Sequence, residues 1–148
     1  MLLLVYVYRK GYIMRLAICD DEATVITLIK SYVLEYFQEN EIPVPEIITF
    51  SDGESLIQDM SRIDIVFLDI QMLGLDGIHA GQQIAKRYPD SFIFVITSFM
   101  EYLDDAMRFH VFRYLQEIHS PIARLLARFY ETWSGAATGH MKRRGTRR

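Results

Sequence analysis

The sequence predicts an α/β domain, a parallel sheet of five strands with helices on both faces. Three observations lead there. Short apolar runs bounded by turn formers recur five times and alternate with longer, helix-patterned segments. The best of these runs are apolar throughout rather than alternating, which suits strands buried on both faces. Acidic or hydroxyl residues follow three of them, and a parallel sheet gathers such residues along the rim where open α/β folds bind ligands.

The first strand is Arg15–Cys19 (RLAIC), followed at once by Asp20, Asp21 and Glu22. Residues 23–40 then read as a helix, because Val25, Leu28, Ile29, Tyr32, Val33, Tyr36 and Phe37 recur at helical spacing and make one apolar face. Pro43 and Pro45 interrupt the chain before a second strand holding Ile47, Ile48 and Phe50. Ser51 or Asp52 is placed to cap a short helix through Met60, with Leu56, Ile57 and Met60 inward. The third strand, residues 63–68, ends on Asp69 and opens into a turn rich in Gly74, Asp76 and Gly77. A helix over Gly77–Arg87, stopped by Pro89, leads to a fourth strand, Phe92–Ile96, which ends in Thr97 and Ser98. A weak polar helix over 102–109 and a fifth strand, Val111–Leu115, carrying Tyr114, follow. Ser120 and Pro121 suit the start of a last helix, striped by Ile122, Leu125, Leu126, Phe129 and Trp133.

This order brings Asp20, Asp21 and Asp69 to one rim beside Thr97 and Ser98, with the second strand as the exception. Left without partners, three carboxylates would repel one another, so the cluster calls for a hard divalent cation with oxygen ligands, Mg²⁺ first among them.

Composition narrows the function classes. A chain of 148 residues, 51% of them hydrophobic, fits one ordinary domain. The one cysteine, Cys19, allows no intrachain disulfide, as expected of a protein in a reducing cytoplasm. The net charge is −3, and Lys142, Arg143, Arg144, Arg147 and Arg148 supply five cations, so residues 1–141 carry −8. Such an acidic body does not suit a nucleic-acid surface. Residues 1–8 are apolar but far short of the roughly 20 needed to cross a bilayer, and Arg9 and Lys10 follow the run, opposite to a signal peptide. The organisation expected is an N-terminal extension over 1–13, a domain over 14–134, and a basic, disordered tail over 135–148. No Gly-rich phosphate loop with a following Lys-Ser or Lys-Thr is present, which disfavours a nucleotide triphosphatase.

The ordered motifs ICDDE, VFLDIQM-LGLDG, VITS and FRYL, spread over residues 14–115, resemble the receiver domain of two-component response regulators. They are most similar to the receivers of LytTR-type transcriptional regulators. The resemblance implies a flavodoxin-like, doubly wound sheet of strand order 2-1-3-4-5. It implies a phosphoryl acceptor at Asp69, loaded by a sensor histidine kinase in the cytoplasm and signalling through a downstream protein or a homodimer partner. Asp21, Asp69 and the Gln71 carbonyl would bind Mg²⁺ directly, with Asp20 acting through water. Thr97 would bond a phosphoryl oxygen, and Tyr114 would be the aromatic that moves inward with it. No DNA-binding domain and no membrane contact are expected in this chain.

Two departures set alternatives beside that reading. The family's MPG stands here as Met72-Leu73-Gly74, and its YLxKP as Tyr114-Leu115-Gln116-Glu117-Ile118, so Glu117 replaces the lysine that pairs with the phosphoryl group. A carboxylate about 5 Å from that group, at an effective dielectric of about 20, repels it by roughly 3 kcal/mol. Only 33 residues follow Leu115, short of an output domain of about 100. A truncated or frameshifted LytTR-type regulator explains both features; so does a natural single-domain receiver with an altered switch. A degenerate receiver, binding partners without switching, is the alternative function. A phosphatase using Asp69 as nucleophile fits less well, since Ile70 and Gln71 follow where that class carries a second carboxylate.

Overall fold

The computed structural model describes residues 13–59, 61–70, 72 and 77–96, together with the backbone of one further strand. In chain order the elements are β1 (Arg15–Cys19), α1 (Ala23–Glu39), β2 (Glu46–Phe50), α2 (Gly53–Gln58), β3 (Ile65–Asp69), α3 (Gly77–Arg87), β4 (Phe92–Ile96) and β5 (Val111–Leu115). The strands form one parallel sheet in the order β2-β1-β3-β4-β5, the flavodoxin-like order. The expected helices over 102–109 and 120–134 lie outside the described residues. Among the described residues, no helix is long and apolar enough to cross a membrane.

The pleat sends alternate strand residues to opposite faces, and each face has its own core. On one face Leu16, Ile18, Ile65, Phe67, Phe94 and Ile96 meet Ile29, Val33, Tyr36 and Phe37 of α1. Phe67 and Phe94 stack there with centroids 5.1 Å apart. On the other face Ala17, Cys19, Val66, Leu68, Ile93 and Val95 meet Leu56 of α2 and Ala80 and Ile84 of α3. Each fully buried Leu, Ile or Phe contributes about 1.5–3 kcal/mol, so this two-sided burial holds the sheet between its helices.

The departures from the expected boundaries have local causes. Helix α1 stops before the prolines, because Asn40 caps it (Asn40 Nδ2 donates to the Tyr36 carbonyl, 2.7 Å) and Glu41 turns left-handed at φ 54. Leu28 belongs to the predicted apolar stripe but is 39% exposed, at its edge. Asp52, not Ser51, caps α2, its Oδ1 accepting from the Ser55 N–H at 2.7 Å. That helix ends at Gln58 rather than Met60, and Arg87 reaches across from α3 to the Ile57 and Asp59 carbonyls, 2.6 and 3.3 Å away.

At the N-terminal rim of the sheet, charges are paired. Arg15 Nε lies 3.2 Å from Glu46 Oε2, and its Nη1 donates to the Arg62 carbonyl at 3.1 Å. The Arg15 main-chain N–H donates to Asp64 Oδ2 at 2.8 Å, and Arg62 Nε stands 3.4 Å from Asp64 Oδ1. Strand β3 begins at Ile65, two residues later than the apolar run suggests, with the Asp64 N–H and carbonyl bonded to Arg15 and Phe92 just ahead of it.

Candidate functional site

The opposite, C-terminal rim is where like charges collect. Cys19 and Leu68 are register partners on β1 and β3, so Asp20 and Asp69, each one residue further on, arrive at the same level. The Asp20 N–H donates to the Phe50 carbonyl of β2 at 3.1 Å, which fixes the end of β1. Its carboxylate is fixed as well, with Oδ1 accepting from the Glu22 N–H at 2.8 Å. Oxygens of Asp20, Asp21 and Asp69 all lie within 4.8 Å of one another. Asp20 is buried at 5% exposure, Asp69 is half-buried and Asp21 is exposed, so the cluster grades from the sheet outward to solvent.

Electrostatics follow from that gradient. Burial pushes the Asp20 carboxyl up to about 6; the Glu22 N–H opposes this, and the Asp21 and Glu22 charges add to it. Beneath, Cys19 Sγ donates to the Asp52 carbonyl at 3.4 Å and rests 3.7 Å from Met72 Sδ. Burial, reinforced by the Asp52, Asp20, Asp69 and Asp21 carboxylates, pushes the Cys19 thiol up to about 12. At neutral pH Cys19 is therefore a small apolar filler rather than a nucleophile. A floor of two sulfurs under three acids disfavours charge, which makes a bound cation the natural relief. All-oxygen donors of this kind fit Mg²⁺ and fit soft metals poorly.

The three carboxylates predicted to meet do meet. Gln71, Thr97 and Ser98 lie outside the described residues. Tyr114 is on β5, opposite Val95 of β4 in the register, and only its backbone is described. The sequence reading treated β2 as contributing nothing polar to this rim. Asp52 stands there too, its carbonyl on Cys19, but its carboxylate is committed to capping α2. The reading also missed Gly77, whose N–H donates to the Ile70 carbonyl at 2.9 Å, hard against the end of β3. The Asp76-Gly77 pair carried a turn signal but no hint of that approach.

The family described as "Response regulator receiver domain" matches residues 16–123. Transcriptional regulatory protein YpdB of Escherichia coli (strain K12) is 30% identical over 94 residues, 61% of this chain and 38% of YpdB. Oxygen regulatory protein NreC of Staphylococcus epidermidis is 32% identical over 103 residues, 68% of this chain and 44% of NreC. The chain thus spans less than half the length of these two curated relatives. Among solved structures, the BeF3-activated DrrB receiver domain superimposes with a TM-score of 0.67 at 20% identity, covering 80% of this chain and 98% of that one. Response regulator protein TrrA from Thermotoga maritima, in complex with Mg(2+)-BeF, gives a TM-score of 0.66 at 24% identity, covering 80% of this chain and 98% of TrrA.

Proposed function

Because this chain belongs to the response regulator receiver domain family of two-component systems, we propose that it accepts a phosphoryl group on Asp69 from a sensor histidine kinase. The observation that carries the proposal is the convergence of Asp20, Asp21 and Asp69 at the end of the central strands. In the step proposed, an Asp69 carboxylate oxygen attacks phosphorus, the P–N bond to the kinase histidine breaks, and an acyl phosphate forms. Such transfer needs alignment and charge neutralisation more than covalent assistance. A bound Mg²⁺ supplies positive charge that offsets both the carboxylates and the incoming phosphoryl oxygens. Asp21, Asp69 and the Gln71 carbonyl are the proposed direct ligands, with Asp20 holding the ion through water. Thr97 is proposed to donate to a phosphoryl oxygen and Tyr114 to follow it inward. The acting unit is residues 14–134, and its output is a contact with a downstream protein or a second copy, as in a LytTR-type regulator.

The first test is metal binding. At Mg²⁺ ten times its dissociation constant, mass action stabilises the fold by about 1.4 kcal/mol, raising the melting temperature by roughly 3–6 °C. Asp21→Asn removes that rise. A wild-type protein indifferent to millimolar Mg²⁺ would exclude the site.

Glu117, in the position of the family's phosphoryl-pairing lysine, favours a second reading: a receiver that is loaded but does not switch. The missing charge-assisted hydrogen bond is worth about 1.5–3 kcal/mol, roughly tenfold or more in the active-to-inactive ratio. Beryllofluoride with Mg²⁺ should then move the amide signals of Thr97 and Tyr114 little, and Glu117→Lys should restore large shifts. Equal, large shifts in both proteins would dismiss the non-switching reading.

A further inference from the structure

The first turn of α3 lies against the main chain at the acidic site. Gly77 opens that helix, and its N–H donates to the Ile70 carbonyl at 2.9 Å. The fit leaves no room at its α-carbon. A β-carbon at position 77 would lie 2.6 Å from Ile70 Cα and 2.7 Å from the Asp69 carbonyl carbon, and would overlap the Asp69 carbonyl oxygen. All three are main-chain atoms, so no rotamer change can make space; the peptide itself would have to withdraw. We infer that Gly77 is a positioning residue for Asp69: the bare α-carbon lets the first turn of α3 press on the Asp69–Ile70 peptide, and that contact sets where the Asp69 carboxylate meets Asp20 and Asp21.

The consequence follows from tolerances. Ordinary carbon–carbon contact is about 3.5–4 Å, so any side chain at position 77 drives the Asp69–Ile70 peptide back by roughly 1 Å. Metal–ligand distances tolerate about 0.2 Å. Asp69 is also the last residue of β3 and pairs with Ile96 in the β4 register, so the ladder resists the displacement on one side and the carboxylate end absorbs it. Helix propensity argues the other way, since alanine is a better helix former than glycine. A purely local role for Gly77 therefore predicts an unharmed or stabilised Gly77→Ala protein with an intact site.

The inference rests on reading the acidic cluster as the Mg²⁺ and phosphoryl site, and the test separates the two. Backbone amide shifts of wild type and Gly77→Ala are compared without metal, and both proteins are titrated calorimetrically with Mg²⁺. Gly77→Ala should shift the metal-free amides of Asp69, Ile70 and Asp20, leave those of Arg15 and Asp64 in place, and weaken Mg²⁺ binding about tenfold or more, as lost supporting contacts do. Ile78→Ala supplies the same two measurements if Gly77→Ala does not fold. Ile78 packs half-buried on the core under the start of α3, and truncating it loosens that turn without adding an atom. It too should move the Asp69 amide and weaken Mg²⁺ binding severalfold. A folded variant with unmoved Asp69 amides and wild-type Mg²⁺ affinity overturns the positioning role, whatever its melting temperature. A wild type that binds no Mg²⁺ overturns the reading of the site, while the metal-free amide shifts still decide the role of Gly77.

Discussion

Asparagine at position 69 should abolish phosphoryl transfer to this chain entirely. The substitution keeps shape and volume but replaces a charged oxygen nucleophile with an amide, which cannot form an acyl phosphate under the same conditions. Wild-type protein incubated with Mg²⁺ and a small phosphoramidate or acyl phosphate donor should gain one phosphoryl group, labile to hydroxylamine and seen by intact mass. Asp69→Asn should gain none. The two neighbouring carboxylates make this informative, because Asp20 and Asp21 lie within 4.8 Å of Asp69. Proximity alone would let either accept the group. Asp20 is buried and its Oδ1 is already held by the Glu22 N–H, so neither its access nor its alignment suits in-line attack. Undiminished labelling of Asp69→Asn would move the acceptor to Asp21 and end the assignment.

The second large effect concerns Asp20, where binding and stability should move in opposite directions. Its carboxyl is raised to about 6 in the folded protein, by burial first, against about 3.9 in an unfolded chain. The folded state therefore holds the proton more tightly between those values, and stability falls as pH rises from about 4 to about 6. Above that window the full penalty of an ionised, buried carboxylate is present. Asp20→Asn removes it, and the amide oxygen can still accept from Glu22. Metal-free Asp20→Asn should thus be more stable than wild type by about 1–3 kcal/mol at pH 7, with the gain vanishing near pH 4. Urea unfolding of both proteins in EDTA at pH 4 and 7 measures it. Mg²⁺ binding should be much weaker in the variant at pH 7, and in wild type it should weaken as pH falls below about 6. Lower stability for Asp20→Asn at pH 7 would show that the carboxylate is not strained in the fold.

Much of this arrangement was readable in the residues themselves. Strands β1, β4 and β5 and helix α3 were bounded correctly because each is an apolar or amphipathic run closed by a charge, an amide, a hydroxyl or a proline. The trio Asp20, Asp21 and Asp69 followed from parallel strands ending in carboxylates, a matter of direction rather than distance. Capping depends on which side chain reaches which amide, so Ser51 and Asp52 could not be told apart before the Asp52 Oδ1 contact with Ser55 was seen. The start of β3 was misjudged for a related reason. Ile63 is as buried as a strand residue, but the inter-strand bonds begin only at Asp64, whose N–H and carbonyl meet Arg15 and Phe92, and the paired register begins at Ile65. The pressure of Gly77 on the Asp69 peptide is a long-range packing fact with no periodicity, hence invisible in one sequence. Gln71, Thr97 and Glu117 lie outside the described residues and keep the standing that the motifs give them.

The paired charges around Arg15 and the opposed charges around Asp20 sit at the two ends of one five-residue strand, roughly 16 Å apart. Effects at sites separated by more than about 7–10 Å without shared partners usually add. The two rims can therefore accumulate changes independently. Variation among Arg15, Glu46, Arg62 and Asp64 alters how much folded protein a cell retains without retuning the acidic pocket. A change that sharpens ligand binding at the cost of stability can be offset at the far rim, leaving the pocket free to diverge toward new partners.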